Sequence, residues 1–267
     1  MKMIIKILII FIICIVLLAV LARCSQERLI FHPSKLPLNY KYEFETCYKE
    51  YFIEVDKKVK LNGLLFKADT SKDLIFYLHG NAGALDGWGQ IAELYLSNNY
   101  DIFIIDYRGF GKSEGKIKSE AQLHNDVKIA YNLMKNEYKE KNIIIMGFSI
   151  GTGMAARLAA TNNPKMLILK APYYNFTDLV HQHYKIVPGF LIKYKLKINE
   201  YITDISAPIV IFHGDYDQII NYNSSVKLSK LLKETDKFIT LKNGMHNGMN
   251  DNPDYRSHIT EILNGNF

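Results

Sequence analysis

The chain has 267 residues, 48% of them apolar, with 33 Lys and Arg against 27 Asp and Glu for a net charge of +6. This length and apolar share fit one large α/β domain with a short appendage and a sizeable core, and the scattered charges, including the sign-alternating "KNEYKEK" run (Lys135 to Lys141), give no nucleic-acid surface. Cys14, Cys24 and Cys47 form neither a disulfide framework nor a metal-ligand spacing.

The N-terminal run "MKMIIKILIIFIICIVLLAVLARC" sets Lys2 and Lys6 ahead of an unbroken apolar stretch, Ile7 to Ala22. As a helix that stretch spans roughly 24 Å at about 1.5 Å per residue, short of a hydrocarbon core of about 30 Å. Adding Met3 to Ile5, with Lys6 snorkelling, closes the gap. No amphipathic pattern runs through it, which argues against a buried core helix. Residues 1–24 are therefore expected to be a signal anchor or a lipoprotein-type signal. "LARC" resembles a lipobox ending at Cys24, although Arg23 departs from it, and no A-x-A-like cleavage site precedes Ser25. The rest of the chain is expected to be held at a membrane, on its extracytoplasmic side. The flanking positive charges (Lys2 and Lys6 before; Arg23, Arg28 and Lys35 after) do not decide the orientation.

"SQERLIFHPSKLP" is polar with two prolines and reads as a linker laid over the domain surface. "YFIEVDKKVKLNGLLFKA" alternates apolar and polar residues on either side of "DKK", an antiparallel hairpin pattern. The pattern then changes. "LIFYLHG", "YDIFIIDYRG", "NIIIMGFS", "KMLILKAP", "APIVIFHGD" and "KFITLKNG" are short continuous apolar runs, which fit strands buried on both faces of a parallel sheet. Helical patterns separate most of them, as in "AQLHNDVKIAYNLMKNEY" (Ala121 to Tyr138), "NSSVKLSKLLKE" and "PDYRSHITEIL". Strands alternating with helices predict βαβ units and a mostly parallel central sheet flanked by helices. One connection, residues 172–206, is too long for a single crossover helix. It carries Tyr173, Tyr174, Phe176, Tyr184, Phe190 and Tyr194 and reads as a short aromatic cap.

In an open parallel sheet, ligands bind beyond the carboxyl ends of the strands. "IIIMGFSIGTG" puts Ser149 there in a G-x-S-x-G pattern, Gly147 to Gly151, with a strand before it and a helix after it. The turn lifts the hydroxyl clear of the sheet, and the helix N-terminus favours a developing anion. A serine nucleophile needs a base. Of eight histidines, His79 and His213 precede glycines at strand ends, His32 is in the linker, His181 and His183 are in the cap, and His124 and His258 are within helices. His246, in "KNGMHNGM", follows the last strand, where a base belongs. The orienting carboxylate is expected at Asp217 in "HGDYDQII", with Asp215 a turn residue and Asp178 a weaker rival. The glycine-rich "HGNAGALDGWG" allows close backbone approach. Backbone N–H groups of Asn81 and Ile150 are the expected oxyanion donors, with Ala82 as the alternative to Asn81.

With "LIFHP", "LHGNAG", "DYRGFGKSEG", "GFSIGTG", "HGDYDQII" and "GMHN" in this order, the chain resembles the α/β-hydrolase superfamily. It is similar in particular to membrane-anchored hydrolases of the serine aminopeptidase-like (Hydrolase-4) group, from about Gln26 to the C-terminus. The resemblance implies the α/β-hydrolase fold over residues 25–267, with Ser149 as nucleophile, Asp217 as acid and His246 as base. It implies no metal and no organic cofactor. "DYRGFGKSEG" (Asp106 to Gly115) reads as a strand end and structured loop rather than a catalytic segment. Met245 in "GMHN" departs from the commoner Gly-His or Ser-His turn. Relatives of this kind include carboxylesterases, lipases, thioesterases and peptidases. The expectation is an ester or thioester hydrolase acting on a small-molecule or lipid-like acyl substrate. The alternatives are a peptidase or a non-catalytic binding protein on the same fold. A dehalogenase would need Asp where Ser149 stands.

Overall fold

The computed structural model describes residues 2–71 and 73–265, so Met1 and Phe267, the outer ends of the two expected segments, lie outside the described residues. The central sheet has eight strands: β1 Tyr48–Asp56, β2 Val59–Phe66, β3 Asp73–Leu78, β4 Tyr100–Ile105, β5 Ile143–Phe148, β6 Met166–Lys170, β7 Ile209–Gly214 and β8 Lys237–Leu241. Their order across the sheet is β8-β7-β6-β5-β3-β4-β2-β1. The expected hairpin forms as β1 against β2, and β2 is antiparallel to β4; the other pairings are parallel. The expected α/β fold is therefore present.

Strands β3 to β7 are buried along their whole length, which is why their sequences are unbroken apolar runs rather than alternating ones. The period of two survives inside each run. On β3, Leu74, Phe76 and Leu78 face one apolar cluster, while Ile75 and Tyr77 face the other. The first cluster is covered by α5 (Glu120–Lys135), α6 (Gly151–Ala160) and α9 (Asn223–Ser229), the second by α3 (Leu85–Trp88), α4 (Ala92–Leu96) and α10 (Pro253–Leu263). Edge strand β1 is half exposed and carries Lys49, Glu50 and Glu54, which discourages pairing with another chain.

Two segments differ from a plain reading of their composition. The supposed linker is folded onto the domain: after α1 (Lys2–Cys24) comes a short helix α2 (Gln26–Ile30), and His32–Pro33 pairs in parallel with Ala82–Gly83. The cause is apolar anchoring, since Phe31 is buried against the rings of Phe110 and Tyr194. The 172–206 connection contains α7 (Phe176–His183), a single turn at Gly189–Leu191, and α8 (Ile198–Tyr201). Its aromatics divide into two sets. Tyr173, Phe176 and Tyr194 are core residues, whereas Tyr184 and Phe190 are 68% and 78% exposed. From Tyr194 onward the segment packs as an ordinary helix pair on α6, and only the stretch around α7 overhangs the sheet edge.

Candidate active site

Ser149 follows β5 directly and has φ of 53°, the left-handed region that a non-glycine residue enters only under constraint. The constraint comes from both sides. The Ser149 N–H donates to the Lys170 carbonyl at 2.9 Å, and α6 begins two residues later. The flanking glycines have a steric reason. A Cβ on Gly147 would lie 2.6 Å from the Gly151 carbonyl oxygen, and one on Gly151 would lie 2.1 Å from that of Leu78. Strand, turn and helix can approach this closely only without side chains.

His246 lies in the loop after β8. Its Nε2 is 3.1 Å from Ser149 Oγ, and its Nδ1 is 2.7 Å from Asp217 Oδ2. With Nδ1–H donating to the carboxylate, Nε2 is left to accept the serine proton. Asp217 sits at the turn after β7, where its other oxygen accepts the N–H groups of Ile219 and Ile220, each at 2.8 Å. Burial disfavours its charge, yet hydrogen bonds from His213, His246 and the Ile220 N–H outweigh that and hold the carboxyl well below the usual carboxylate range. Asp215 is an exposed turn residue. The rival Asp178 is engaged elsewhere, by Lys227 at 2.8 Å and Gln182 at 2.9 Å.

His213, expected only as a strand-end residue, is also part of this cluster. It is fully buried on β7, its Nε2 lying 3.0 Å from the Ile220 carbonyl and 3.2 Å from Asp217 Oδ2, while Nδ1 accepts from Ser225 Oγ at 2.6 Å. Asp217 is thus braced between two imidazoles. The signal was available: His213 and Asp217 are four residues apart in one strand-to-turn segment.

Asn81 and Ile150 both line the cavity beside Ser149, whereas Ala82 does not. Among the described residues, neither of these two backbone N–H groups is used in a hydrogen bond within the protein. The Asn81 loop is pinned from α2, its side chain donating to the Ile30 carbonyl and its own carbonyl accepting from the His32 N–H. It is pinned from below by "DYRGFGKSEG". Tyr107 Oη donates to the His79 carbonyl at 2.8 Å, and Asp106 accepts the Leu85 N–H at 3.2 Å. Arg108 closes a bidentate pair on Asp126 at 2.6 and 2.8 Å. The motif's work is therefore structural.

The cavity over Ser149 has a volume of about 720 Å³, within the range of small-molecule sites. Its walls come from α7 (Leu179, Val180), the following loop (Ile186, Val187), the linker helix (Leu29, Ile30) and the Asp217 loop (Ile219, Ile220). His183 Nε2 bonds the Ile219 carbonyl at 3.0 Å, tying the overhanging helix to the Asp217 loop. Among the described residues, no Asp, Glu, Lys or Arg lines the cavity, and the imidazole of His183 is engaged with the Ile219 carbonyl. Among the described residues, no cluster of His, Cys, Asp and Glu has the arrangement of a metal site.

Comparison with known proteins agrees with this architecture. The family model for serine aminopeptidase S33 (Hydrolase_4) matches residues 69–201, which include Ser149 but neither Asp217 nor His246. The chain is 28% identical to the uncharacterized protein YfhR of Escherichia coli (strain K12) over 187 residues, 67% of this chain and 64% of that protein. It is 30% identical to the lysophosphatidylserine lipase ABHD12 of Danio rerio over 187 residues, 62% of this chain and 49% of that one. The matches thus span between about half and two thirds of these relatives. Among solved structures, the Pyrococcus furiosus esterase Pf2001 superposes with a TM-score of 0.70 at 19% identity, covering 88% of this chain and 97% of that one, a likeness of fold. Sheet order, serine elbow and family match converge, and the chain belongs to the α/β-hydrolase superfamily, in its serine aminopeptidase-like Hydrolase_4 family.

Proposed function

We propose that this protein is a membrane-anchored serine hydrolase that cleaves carboxylic esters or thioesters of lipophilic acyl groups. The observation that carries the reading is the hydrogen-bonded series Ser149–His246–Asp217 at the floor of an apolar cavity. In this mechanism Ser149 Oγ attacks the acyl carbonyl while His246 Nε2 takes its proton. The N–H groups of Asn81 and Ile150 receive the oxyanion, each worth roughly 3 kcal/mol in the transition state. His246 returns the proton to the departing alcohol or thiol, leaving an acyl-enzyme on Ser149. Water, deprotonated by the same imidazole, then releases the acid. Asp217 fixes the tautomer and balances the imidazolium.

The acyl preference rests on the cavity walls, since aliphatic side chains reward an alkyl chain and give a charged group no partner. An aminopeptidase would need a carboxylate for its substrate's ammonium, and the lining holds none. The anchoring half of the reading rests on α1, an apolar helix of 22 residues from Met3 to Cys24, long enough to cross a bilayer; a signal-type segment of this kind puts the domain on the extracytoplasmic side. The test is fluorophosphonate labelling of the full chain in detergent, wild type against Ser149→Ala. Labelling and ester turnover should vanish together, turnover falling by roughly 10⁴-fold or more. A folded wild type that takes no label, or a variant labelled as well as wild type, rejects Ser149 as the nucleophile.

A further inference from the structure

Leu29, Tyr184 and Ile186 line the cavity, and Phe190 stands beside it between the lining residues Pro188 and Leu191, so that an exposed apolar rim borders the cavity. Ile186 is 94% exposed, Phe190 78%, Leu29 72% and Tyr184 68%, values that a water-facing surface loop rarely reaches with four large apolar side chains together. This rim is where α1 arrives. Arg23, at the helix end, donates to the Phe190 carbonyl at 3.2 Å, and Gln26 to the Leu191 carbonyl at 2.7 Å. Gln26 Oε1 also accepts the Lys193 N–H at 2.7 Å, and Ala22 of α1 lines the cavity mouth itself. Exposed cations accompany the patch, namely Arg23, Arg28 and Lys185, while the nearby Glu27 is already held by Lys193 and Tyr194. Apolar tips ringed by basic residues are the composition of a surface that settles at the headgroup boundary of an anionic bilayer.

We propose that the rim formed by Leu29, Tyr184, Ile186 and Phe190 docks into the bilayer that α1 crosses, so that the cavity opens onto the membrane interface and an acyl chain enters it from the lipid phase. This rests on the anchoring part of the proposed function and not on the identity of the nucleophile. Geometry forces the association. A helix that spans the membrane and is bonded at its end to the Phe190 turn cannot leave that turn far from the bilayer surface. Burying the rim there removes apolar area that would otherwise stay in water. The bilayer is the occupant of choice over a second copy of the chain because α1 ends at the rim, where its Ala22 lines the cavity and its Arg23 is bonded to the Phe190 carbonyl.

The full chain is reconstituted in phosphatidylcholine vesicles containing phosphatidylglycerol, with Cys14, Cys24 and Cys47 replaced by Ser. An environment-sensitive fluorophore is attached at Phe190→Cys, or at the exposed Lys139→Cys, which precedes β5 at the end of the strand away from Ser149. Shallow spin-labelled lipids should quench the probe at 190 several-fold more than the probe at 139. Phe190→Asp should slow hydrolysis of a long-chain ester carried in the vesicles by about tenfold or more, the factor that burying one Phe side chain is worth. It should leave p-nitrophenyl acetate turnover within about twofold. A chain that floats with the vesicles while its probe at 190 stays unquenched overturns the docking surface, as does cross-linking of position 190 to a second copy. A chain that stays in the aqueous fraction overturns the anchoring reading and the docking surface with it. Loss of activity on both esters with quenching intact strikes only the chemistry.

Discussion

Lys170 ends β6, where its carbonyl accepts the Ser149 N–H, and it is 1% exposed. Its ammonium touches Tyr95 Oη and Asn250 Oδ1 and lies over the rings of Tyr255 (4.5 Å), Tyr77 (5.5 Å) and Phe148 (5.9 Å), with no carboxylate partner among the described residues. Burial pushes it from the ordinary 10.5 down to about 7. At about 1.4 kcal/mol per pH unit, that difference is a penalty on the order of 5 kcal/mol for folding with the lysine charged. The unfolded chain keeps this proton up to about pH 10.5, while the folded chain releases it above about pH 7. Stability therefore rises with pH between those limits, and below about pH 7 the whole penalty is present. Lys170→Met removes the penalty but takes away the Asn250 Oδ1 partner, while Tyr95 Oη keeps Tyr255 Oη, and the lost bond costs roughly 1–3 kcal/mol. The variant should be about 2–4 kcal/mol more stable than wild type near pH 7, with the two curves meeting between about pH 8 and pH 10. Urea unfolding across this range measures it, kept below about pH 10 so that the buried tyrosines do not ionise in the unfolded chain. Activity should move the other way, because Asn250 belongs to the loop that carries His246 and Lys170 is what holds it. Parallel stability curves for the two proteins would refute the argument, as would a variant that is less stable at every pH.

Asp217→Asn should lower kcat by on the order of 10³–10⁴-fold with KM little changed, since the wrong imidazole tautomer would face Ser149. A loss below about tenfold would remove Asp217 from the assignment. Because Asp217 is held well below the usual carboxylate range, its stabilising contribution is complete above about pH 4 and disappears only below that. Asp217 should therefore add no limb to the kcat/KM profile above about pH 4, and a limb that Asp217→Asn removes in that range would count against its being ionised there. Gly151→Ala would press a Cβ to 2.1 Å from the Leu78 carbonyl, so about 2 kcal/mol or more of stability should be lost along with fluorophosphonate labelling, read as a fall in Tm. Val180→Trp should fill part of the cavity wall, cutting kcat/KM for long-chain p-nitrophenyl esters at least about tenfold while sparing the acetate.

The parts of this molecule that could be read from the sequence are those in which neighbours along the chain are also neighbours in space. A nucleophile elbow is largely such a part, since Gly147 meets the Gly151 carbonyl at the β5–α6 crossing and the motif is written within five residues, and only the Gly151 contact with the Leu78 carbonyl comes from far along the chain. The positions of Asp217 and His246 followed from a rule about strand ends, without any contact being known. Asn81 could be preferred over Ala82 only weakly, because the choice turns on which N–H faces the cavity, and that depends on the pairing of the loop with His32 and Pro33. How firmly the linker is anchored is hidden in the sequence for a related reason. Its polar residues dominate its composition, but its fate is set by Phe31, whose rings of contact, Phe110 and Tyr194, come from segments far along the chain.

Lys170 and His213 mark the limit more sharply. Each sits at the end of an otherwise apolar strand, where a polar side chain has a desolvation cost that something must offset. For His213 the offset is a full set of partners, Ser225, Ile220 and Asp217. For Lys170 it is one amide, one phenol and three ring faces, an incomplete set for an ammonium. Incomplete compensation persists in a core when the group holds something that function needs, and Asn250, four residues after His246, is what Lys170 holds. A charged residue closing a buried strand beside a serine elbow is therefore a sequence signal in its own right. It points to the loop that must be held for the base to reach the nucleophile, even though the partner cannot be named until the chain is folded.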